Sequence, residues 1–408
     1  LRANLYMNLQ IIEGLNFKTS LGYNYSSNVG RTYVPAYNLG GRANEPIDQV
    51  DQSMSSGFGY QWFNTLMYNK QFGSHSIDAL LGQSIEESGL GQSMFARNRG
   101  SIFDSYQYAY LSNVKTLDPA NLILNGTPWQ ERKLNSYFGR INYNYNEKYL
   151  LSLVMRADGS SNFAKGNRWG YFPSVAGGWI ITNEDFLAPL SNFMDYFKLR
   201  ASWGQNGNES IDPFQYVSTY SFSGGDYYFG PEKDSWDVGA YPSILPNPDV
   251  TWETSEQINI GFDSWFLNSK LGVNLDWYKK TTRDWLIAAP VPATWGATAP
   301  FINGGDVENT GVELVLSWAD TKGDFSYGIN GNLAFNKNEV TRIANPEGII
   351  EGSSSEVIST ADRTAFYRAE VGRPIGYFYG YKTAGIFVDQ AQIDAYQGPT
   401  YDGGRPGD

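Results

Sequence analysis

The stretch Leu271-Gly272-Val273-Asn274-Leu275-Asp276-Trp277-Tyr278 decides the fold. Successive side chains of a strand point to opposite faces, so Leu271, Val273, Leu275 and Trp277 share one face while Gly272, Asn274 and Asp276 share the other. The pattern repeats in Val312, Leu314, Leu316 and Trp318 against Glu313 and Ser317, and in Phe325, Tyr327, Ile329, Leu333 and Phe335 against Ser326, Gly328, Asn330 and Asn332. It repeats again in Tyr137, Ile141, Tyr143 and Tyr145 against Arg140, Asn142 and Asn144. One face is apolar; the other is rich in Asn, Asp and Gly.

A one-sided antiparallel sheet over a soluble core would alternate in the same way. The connections separate the two cases. Tight reversals fall at Glu13-Gly14, Gly73-Ser74, Asn146-Glu147, Asn268-Ser269 and Lys322-Gly323. Long connections alternate with them: Ser26 to Ser55, Glu87 to Lys133, Gly204 to Val250, Asp284 to Asn309, and Asn338 to about Arg373. A transmembrane barrel keeps short periplasmic turns in phase with long outer loops, which a soluble sandwich has no reason to do. Aromatic residues also gather at strand ends, as Tyr143, Tyr145, Tyr149, Trp277, Tyr278 and Trp318, where barrels carry interfacial girdles.

The bulk composition agrees. Of 408 residues 16% are aromatic, Gly numbers 44, Cys is absent and His occurs once. No run of 18 apolar residues marks a transmembrane helix, and barrel strands produce no continuous hydropathy peak. A net charge of −12 argues against a nucleic-acid surface. Without Cys there are no disulfides and no Cys-ligated metals.

Strands are expected at 3–12, 15–25, 56–72, 75–86, 134–145, 148–157, 169–181, 196–204, 254–266, 270–283, 309–320 and 323–337. A tilted strand of about ten residues spans the hydrocarbon, so longer ones should project beyond it on the loop side. Residues 182–195 read as a short capped helical turn within a periplasmic connection. The chain opens at Leu1 inside a strand pattern with no leader before it, and it closes at Pro406-Gly407-Asp408 without a terminal strand. An open sheet edge is not tolerated in lipid, so the expectation is a piece of a longer barrel.

The stretch from Asn146 to Asn208 carries a specific pattern. It reads Arg156-Ala157-Asp158-Gly159-Ser160-Ser161-Asn162-Phe163, Asn167-Arg168-Trp169-Gly170-Tyr171-Phe172-Pro173-Ser174, Asn183-Glu184-Asp185-Phe186 and Phe197-Lys198-Leu199-Arg200-Ala201-Ser202-Trp203-Gly204. Further segments follow: Asn247-Pro248-Asp249-Val250-Thr251-Trp252-Glu253, Asn259-Ile260-Gly261-Phe262-Asp263, Asn309-Thr310-Gly311-Val312-Glu313, and Gly376-Tyr377-Phe378-Tyr379-Gly380-Tyr381 before Gly385-Ile386-Phe387. This resembles the SusC-like (RagA-like) TonB-dependent outer-membrane transporters of Bacteroidota. Residues 134–408 carry most of the resemblance; residues 1–133 fit by strand pattern alone. The resemblance implies that residues 1–408 are part of a barrel of about 22 strands with a plugged lumen, the plug and final strands lying outside them. It implies TonB-energised import of an oligosaccharide or peptide, a SusD-like surface lipoprotein as lid, and a TonB–ExbB–ExbD link through the plug. It implies no enzyme and no cofactor.

The motif residues also read physically: Asp158, Ser160 and Ser161 with Gly159 supply turn chemistry at a strand end, so structural roles are expected for them. Loop aromatics offer flat faces for sugar rings, and Trp129, Tyr227, Tyr228, Trp236 and Trp295 are the candidate substrate contacts, each set against plain loop packing. His75 alone cannot build a multi-His metal site. Glu86-Glu87, and Asp276 with Glu313, are carboxylate pairs that read as ordinary lumen-facing acids. Gly57-Phe58-Gly59 lies in a strand and is no phosphate loop. Gly207-Asn208 and Gly304-Gly305-Asp306 read as loop turns, and the spacing around Asp402 and Asp408 does not meet a calcium loop. A passive porin or adhesin barrel is the alternative function, separable by the presence of an upstream plug. A secreted all-β carbohydrate-binding protein is the next, separable by solubility without detergent.

Overall fold

The computed structural model describes residues 1–40, 44–115, 121–227, 237–289, 296–352, 367–380, 382 and 385–396, with backbone alone at 223–227, 237 and 238. Twelve strands lie in one sheet in chain order, each antiparallel to the next. They are β1 (Arg2–Ile12), β2 (Leu15–Val34), β3 (Gln49–Phe72), β4 (His75–Arg99), β5 (Arg132–Tyr145), β6 (Tyr149–Ser160), β7 (Trp169–Ile180), β8 (Met194–Asn208), β9 (Glu253–Phe266), β10 (Leu271–Arg283), β11 (Gly305–Lys322) and β12 (Phe325–Ile343). A short strand, Ile123–Pro128, pairs with the outer part of β4. β1 and β12 have one neighbour each, so the wall is curved but not closed.

Each stretch picked out by alternation is one of these strands, and the five tight reversals join β1–β2, β3–β4, β5–β6, β9–β10 and β11–β12. The β5–β6 reversal spans three residues between the paired Tyr145 and Tyr149. Asn146 at φ 54° and Glu147 at φ 53° form the left-handed pair of a primed turn, whose twist matches that of the strands, and the Lys148 N–H closes it on the Tyr145 carbonyl at 2.9 Å. The β7–β8 connection departs from expectation. It forms two 3-10 turns, Ile181–Asn183 and Asp185–Leu190, and no side chain caps either one. Pro189 lacks a backbone N–H and sits inside the second, which keeps the segment from propagating as an α-helix.

Strand ends differ most at β2, β3 and β4, which run to 20, 24 and 25 residues. Much of what reads as loop between Ser26 and Ser55 is strand, paired from Ser26↔Gly57 out to Val34↔Gln49, and β3 continues onto β4 as far as Gln49↔Arg99. Above the bilayer both faces of a ribbon meet water, so the alternation fades while the backbone ladder continues.

The exposed face carries the lipid contact. In β6, Tyr149, Leu151, Leu153 and Met155 are exposed and alternate with half-buried Leu150, Ser152, Val154 and Arg156. Leu81 is 65% and Ile260 53% exposed. Every buried hydrophobic residue among those described lies towards the long-loop end; two small clusters gather there, one around Phe163, Phe172, Val250 and Trp252 and one around Val307, Val340 and Ile343. No dry core backs the sheet within the span. Two aromatic bands border that span. At the short-turn rim Phe72, His75, Tyr145, Tyr149 and Trp179 form a chain of ring contacts with centroids 4.8–6.4 Å apart. At the loop side Tyr137 stacks on Trp169 at 6.1 Å, and Tyr171 is exposed two residues further along β7. From Trp179 to Trp169 a strand rises about 33 Å; a tilt of about 40° leaves about 25 Å, the height of an outer-membrane apolar band.

Candidate functional site

The inner wall is wired by charge. Arg200 on β8 projects inward beside Gly261 on β9, and Asp276 on β10 faces Gly261 from the other side. A Cβ at Gly261 would lie 2.4 Å from the Leu275 carbonyl oxygen and 2.7 Å from Asp276 Oδ1. The missing side chain lets the guanidinium cross a whole strand. Arg200 Nη2 donates to Asp276 Oδ2 at 2.6 Å and Nη1 donates to Asp276 Oδ1. Nε and Nη2 reach Asp263 at 3.1 Å, and Nη1 reaches Asn259 Oδ1 at 3.2 Å. Two of the family-like segments therefore meet in one network. Asp276 is opposite Glu313 in register, and both of its carboxylate oxygens are taken up by Arg200. Glu86 and Glu87, as neighbours in a strand, point to opposite faces: Glu86 accepts from Gln61 at 3.1 Å, and Glu87 from Tyr60 at 2.5 Å and Lys133 at 2.7 Å.

At the loop end the other motif residues fold the connections onto the rim. Phe163 and Val250 are fully buried, and Trp252 meets Phe163 and Phe172 with ring centroids 5.3 and 5.4 Å away. The Trp252 indole donates to the Arg168 carbonyl at 2.9 Å, and the Arg168 guanidinium donates to the Phe163 carbonyl at 3.2 Å. Asn162 donates to the Glu209 carbonyl at 3.2 Å, and the Thr251 N–H to Asn303 at 2.9 Å. Arg156 pairs with Asp158 at 2.8 Å and bonds Ser136 at 2.9 Å. These contacts give the residues structural roles, but not through a turn at Asp158–Ser160: those residues lie within β6, where Gly159 pairs with Trp169 and Asn135.

Beside this knot a cavity of about 740 Å³ opens at the mouth of the inner face, bordered by Gly57, Gln61, Glu86, Trp129, Arg132 and Glu209. Trp129 is half-buried on a glycine floor: Gly57 and Gly91 are cross-strand partners, and a Cβ on Gly57 would come within 2.1 Å of the indole. Its Nε1 donates to Ser93 at 2.6 Å and its backbone N–H to the Gly91 carbonyl at 2.8 Å. Arg132 is held by a bond to the Ile211 carbonyl at 3.0 Å. Burial pushes the Glu209 carboxyl up from its ordinary range, and its Oε2 is buried with no hydrogen-bond partner among the described residues. The cavity thus offers a fixed aromatic plate, two carboxylates and a guanidinium. That set suits a ligand rich in hydroxyls or amides.

Of the candidate contacts Trp129 alone is placed with its side chain. Tyr227 ends a short strand, Thr219–Tyr227, and Tyr228, Trp236 and Trp295 lie outside the described residues, as do much of the loop stretches 223–231 and 290–296, together with Tyr381, Asp402 and Asp408. Gln61, Arg132 and Glu209 carry no local signal. They converge through strand register and through the fold-back after β8, and the Gly57–Gly91 pairing beneath a large aromatic is the one trace of it. His75 lies at the opposite rim, where Nδ1 is 2.7 Å from the Tyr143 hydroxyl and the ring packs on Phe72 and Tyr145.

An antiparallel wall with a lipid face, a wired inner face and aromatic girdles defines an outer-membrane β-barrel. Residues 1–404 match the model of the "TonB dependent receptor-like, beta-barrel" family, and the chain belongs to that family. TonB-dependent receptor P3 of Formosa agariphila is 30% identical over 394 residues, covering 95% of this chain and 37% of that protein. TonB-dependent receptor SusC of Bacteroides thetaiotaomicron is 31% identical over 378 residues, covering 90% of this chain and 35% of that protein. The RagAB peptide importer in its closed-closed state shares the fold, with a TM-score of 0.78 at 24% identity over 94% of this chain and 40% of that one. The chain spans a little over a third of the length of the curated relatives it matches.

Proposed function

We propose that this chain is wall and mouth of a TonB-energised importer that carries an oligosaccharide or peptide across the outer membrane beneath a SusD-like lipoprotein lid. The plug that TonB would pull, and the strands that close the barrel, belong to the rest of the longer protein in this reading. The relative named SusC and the family resemblance support the class. The loop-end cavity is the observation that carries substrate capture: its polar groups face the inner space, and Trp129 presents one ring face to it while the other rests on glycine. A ring braced in this way loses little entropy when a sugar or peptide plane stacks on it.

In the whole transporter with its lid, Trp129→Ala should weaken substrate binding about three- to tenfold, an aromatic contact of roughly 1 kcal/mol. Calorimetry on the purified complex and uptake by cells read this out. Unchanged affinity would remove Trp129 from the capture site, and uptake that persists without TonB would replace the importer with a passive pore.

A further inference from the structure

The β7–β8 connection is larger than a barrel turn needs, and its geometry points outward. Glu184 is fixed by Tyr149 at 2.7 Å, Lys148 at 3.0 Å and the Trp179 indole at 3.0 Å. Asn183 donates to the Glu147 carbonyl at 2.8 Å, which ties the segment to the β5–β6 turn. On its other side the Leu267 N–H donates to the Phe193 carbonyl at 3.0 Å and the Ser269 N–H to Asp195 at 2.8 Å, which ties it to the β9–β10 turn. Held between two neighbouring turns, the segment leaves its apolar side chains uncovered: Phe186 is 65%, Leu190 48% and Phe193 53% exposed. Both ends meet the lipid face. Phe186 packs edge-on to Trp179 of the rim girdle at 6.5 Å, and Phe193 lies 5.4 Å from Phe266 on β9. Trp179 and Phe266 share the outward register of Val175 and Phe262 on their strands.

We propose that residues 181–193 form an interfacial anchor, seating Phe186, Leu190 and Phe193 in the headgroup and upper acyl region of the inner leaflet of the outer membrane. The occupant follows from continuity: the exposed side chains extend the girdle without a break, and the anchoring bonds leave the segment no slack to fold beneath the lumen. Short apolar segments that lie in the interface add membrane affinity by burying apolar area at this depth. An anchor on one side of the rim would fix the depth and tilt of β7 and β8 against the bilayer. The inference does not depend on what the barrel transports.

The 408 residues contain no Cys, which favours single-site labelling. The whole transporter carrying Phe186→Cys, tagged with an environment-sensitive fluorophore, is reconstituted in phosphatidylethanolamine–phosphatidylglycerol vesicles. Asn146→Cys on the neighbouring turn is the reference, and Leu190→Cys gives a second reading if Phe186→Cys inserts poorly. Quenching by lipids bearing a nitroxide near the top of the acyl chain should be roughly twofold or more stronger at 186 and 190 than at 146, with weaker iodide quenching. Iodide quenching equal to that at 146 would place the segment in water. Protection from both quenchers would place it against protein. Either result overturns the anchor.

Discussion

Arg200 shows how much of the inner wall rests on one side chain and one missing side chain. Its guanidinium sits between Asp263 and Asp276 and reaches the second across Gly261. Arg200→Gln leaves two half-buried carboxylates facing each other, and unpaired charge in a partly desolvated site is costly. The expected loss is about 1–3 kcal/mol, reduced from the fully buried case by partial exposure. Thermal unfolding of the detergent-solubilised transporter measures it. Gly261→Val should cost a similar amount by blocking the same bridge, and Asp276→Asn added to Arg200→Gln should recover part of the loss, because it removes the repulsion. The motif residues are conspicuous in the sequence, yet their shared network is not: Arg200 and Asp276 lie on strands that are not neighbours, and only the register at Gly261 brings them together. Trp129 was legible as an aromatic in a loop, whereas the glycine floor that braces it depends on the pairing of Gly57 with Gly91.

Elements differ in how openly they announce themselves. The membrane-crossing parts of all twelve strands follow from alternation, because lipid on one face and water on the other impose a period of two. The outer halves of β2, β3 and β4 escape it, since water on both sides imposes no such pattern. The β7–β8 connection was visible as something other than a tight turn, but its outward lean arises from tertiary bonds centred on Glu184. Tyr149 first, then Lys148 and Trp179, hold the Glu184 carboxyl below its ordinary range by hydrogen bonding to the charged form. A carboxyl whose folded value is lowered contributes stability that is present above its unfolded value and is lost as the pH falls through the folded one. Acidification below the ordinary carboxylate range should therefore loosen this connection first. Hydrogen-exchange protection of residues 181–193, compared with the β1–β2 turn, measures the effect. In Glu184→Gln the protection should be lower at neutral pH and should change little on acidification, since the titrating group is gone.

At the scale of the whole molecule, a single curved sheet has to satisfy two solvents. β1 and β12 each lack a second neighbour, and unpaired strand edges do not persist in hydrocarbon, so the proposed larger barrel requires a partner strand at each edge. The two girdles set the depth: Leu153 pairs with both Ile141 and Val175, about midway between the bands. Val175 is exposed on the outer face, and the adjacent Ala176 lines a concavity on the inner one with Ser152 and Ser202. One residue of displacement along a strand exchanges lipid for water without changing depth, which makes the pair a direct test of the wall. Val175→Arg should cost about 2–4 kcal/mol, the range for a cation on the lipid face near the bilayer midplane. Ala176→Arg should cost less than about 1 kcal/mol in a wet lumen. Folding into vesicles at graded urea concentrations, followed by the heat-dependent gel shift of intact barrels, gives both numbers. Equal losses at the two positions would mean that the faces are not divided between lipid and water, and the barrel assignment would fall with them.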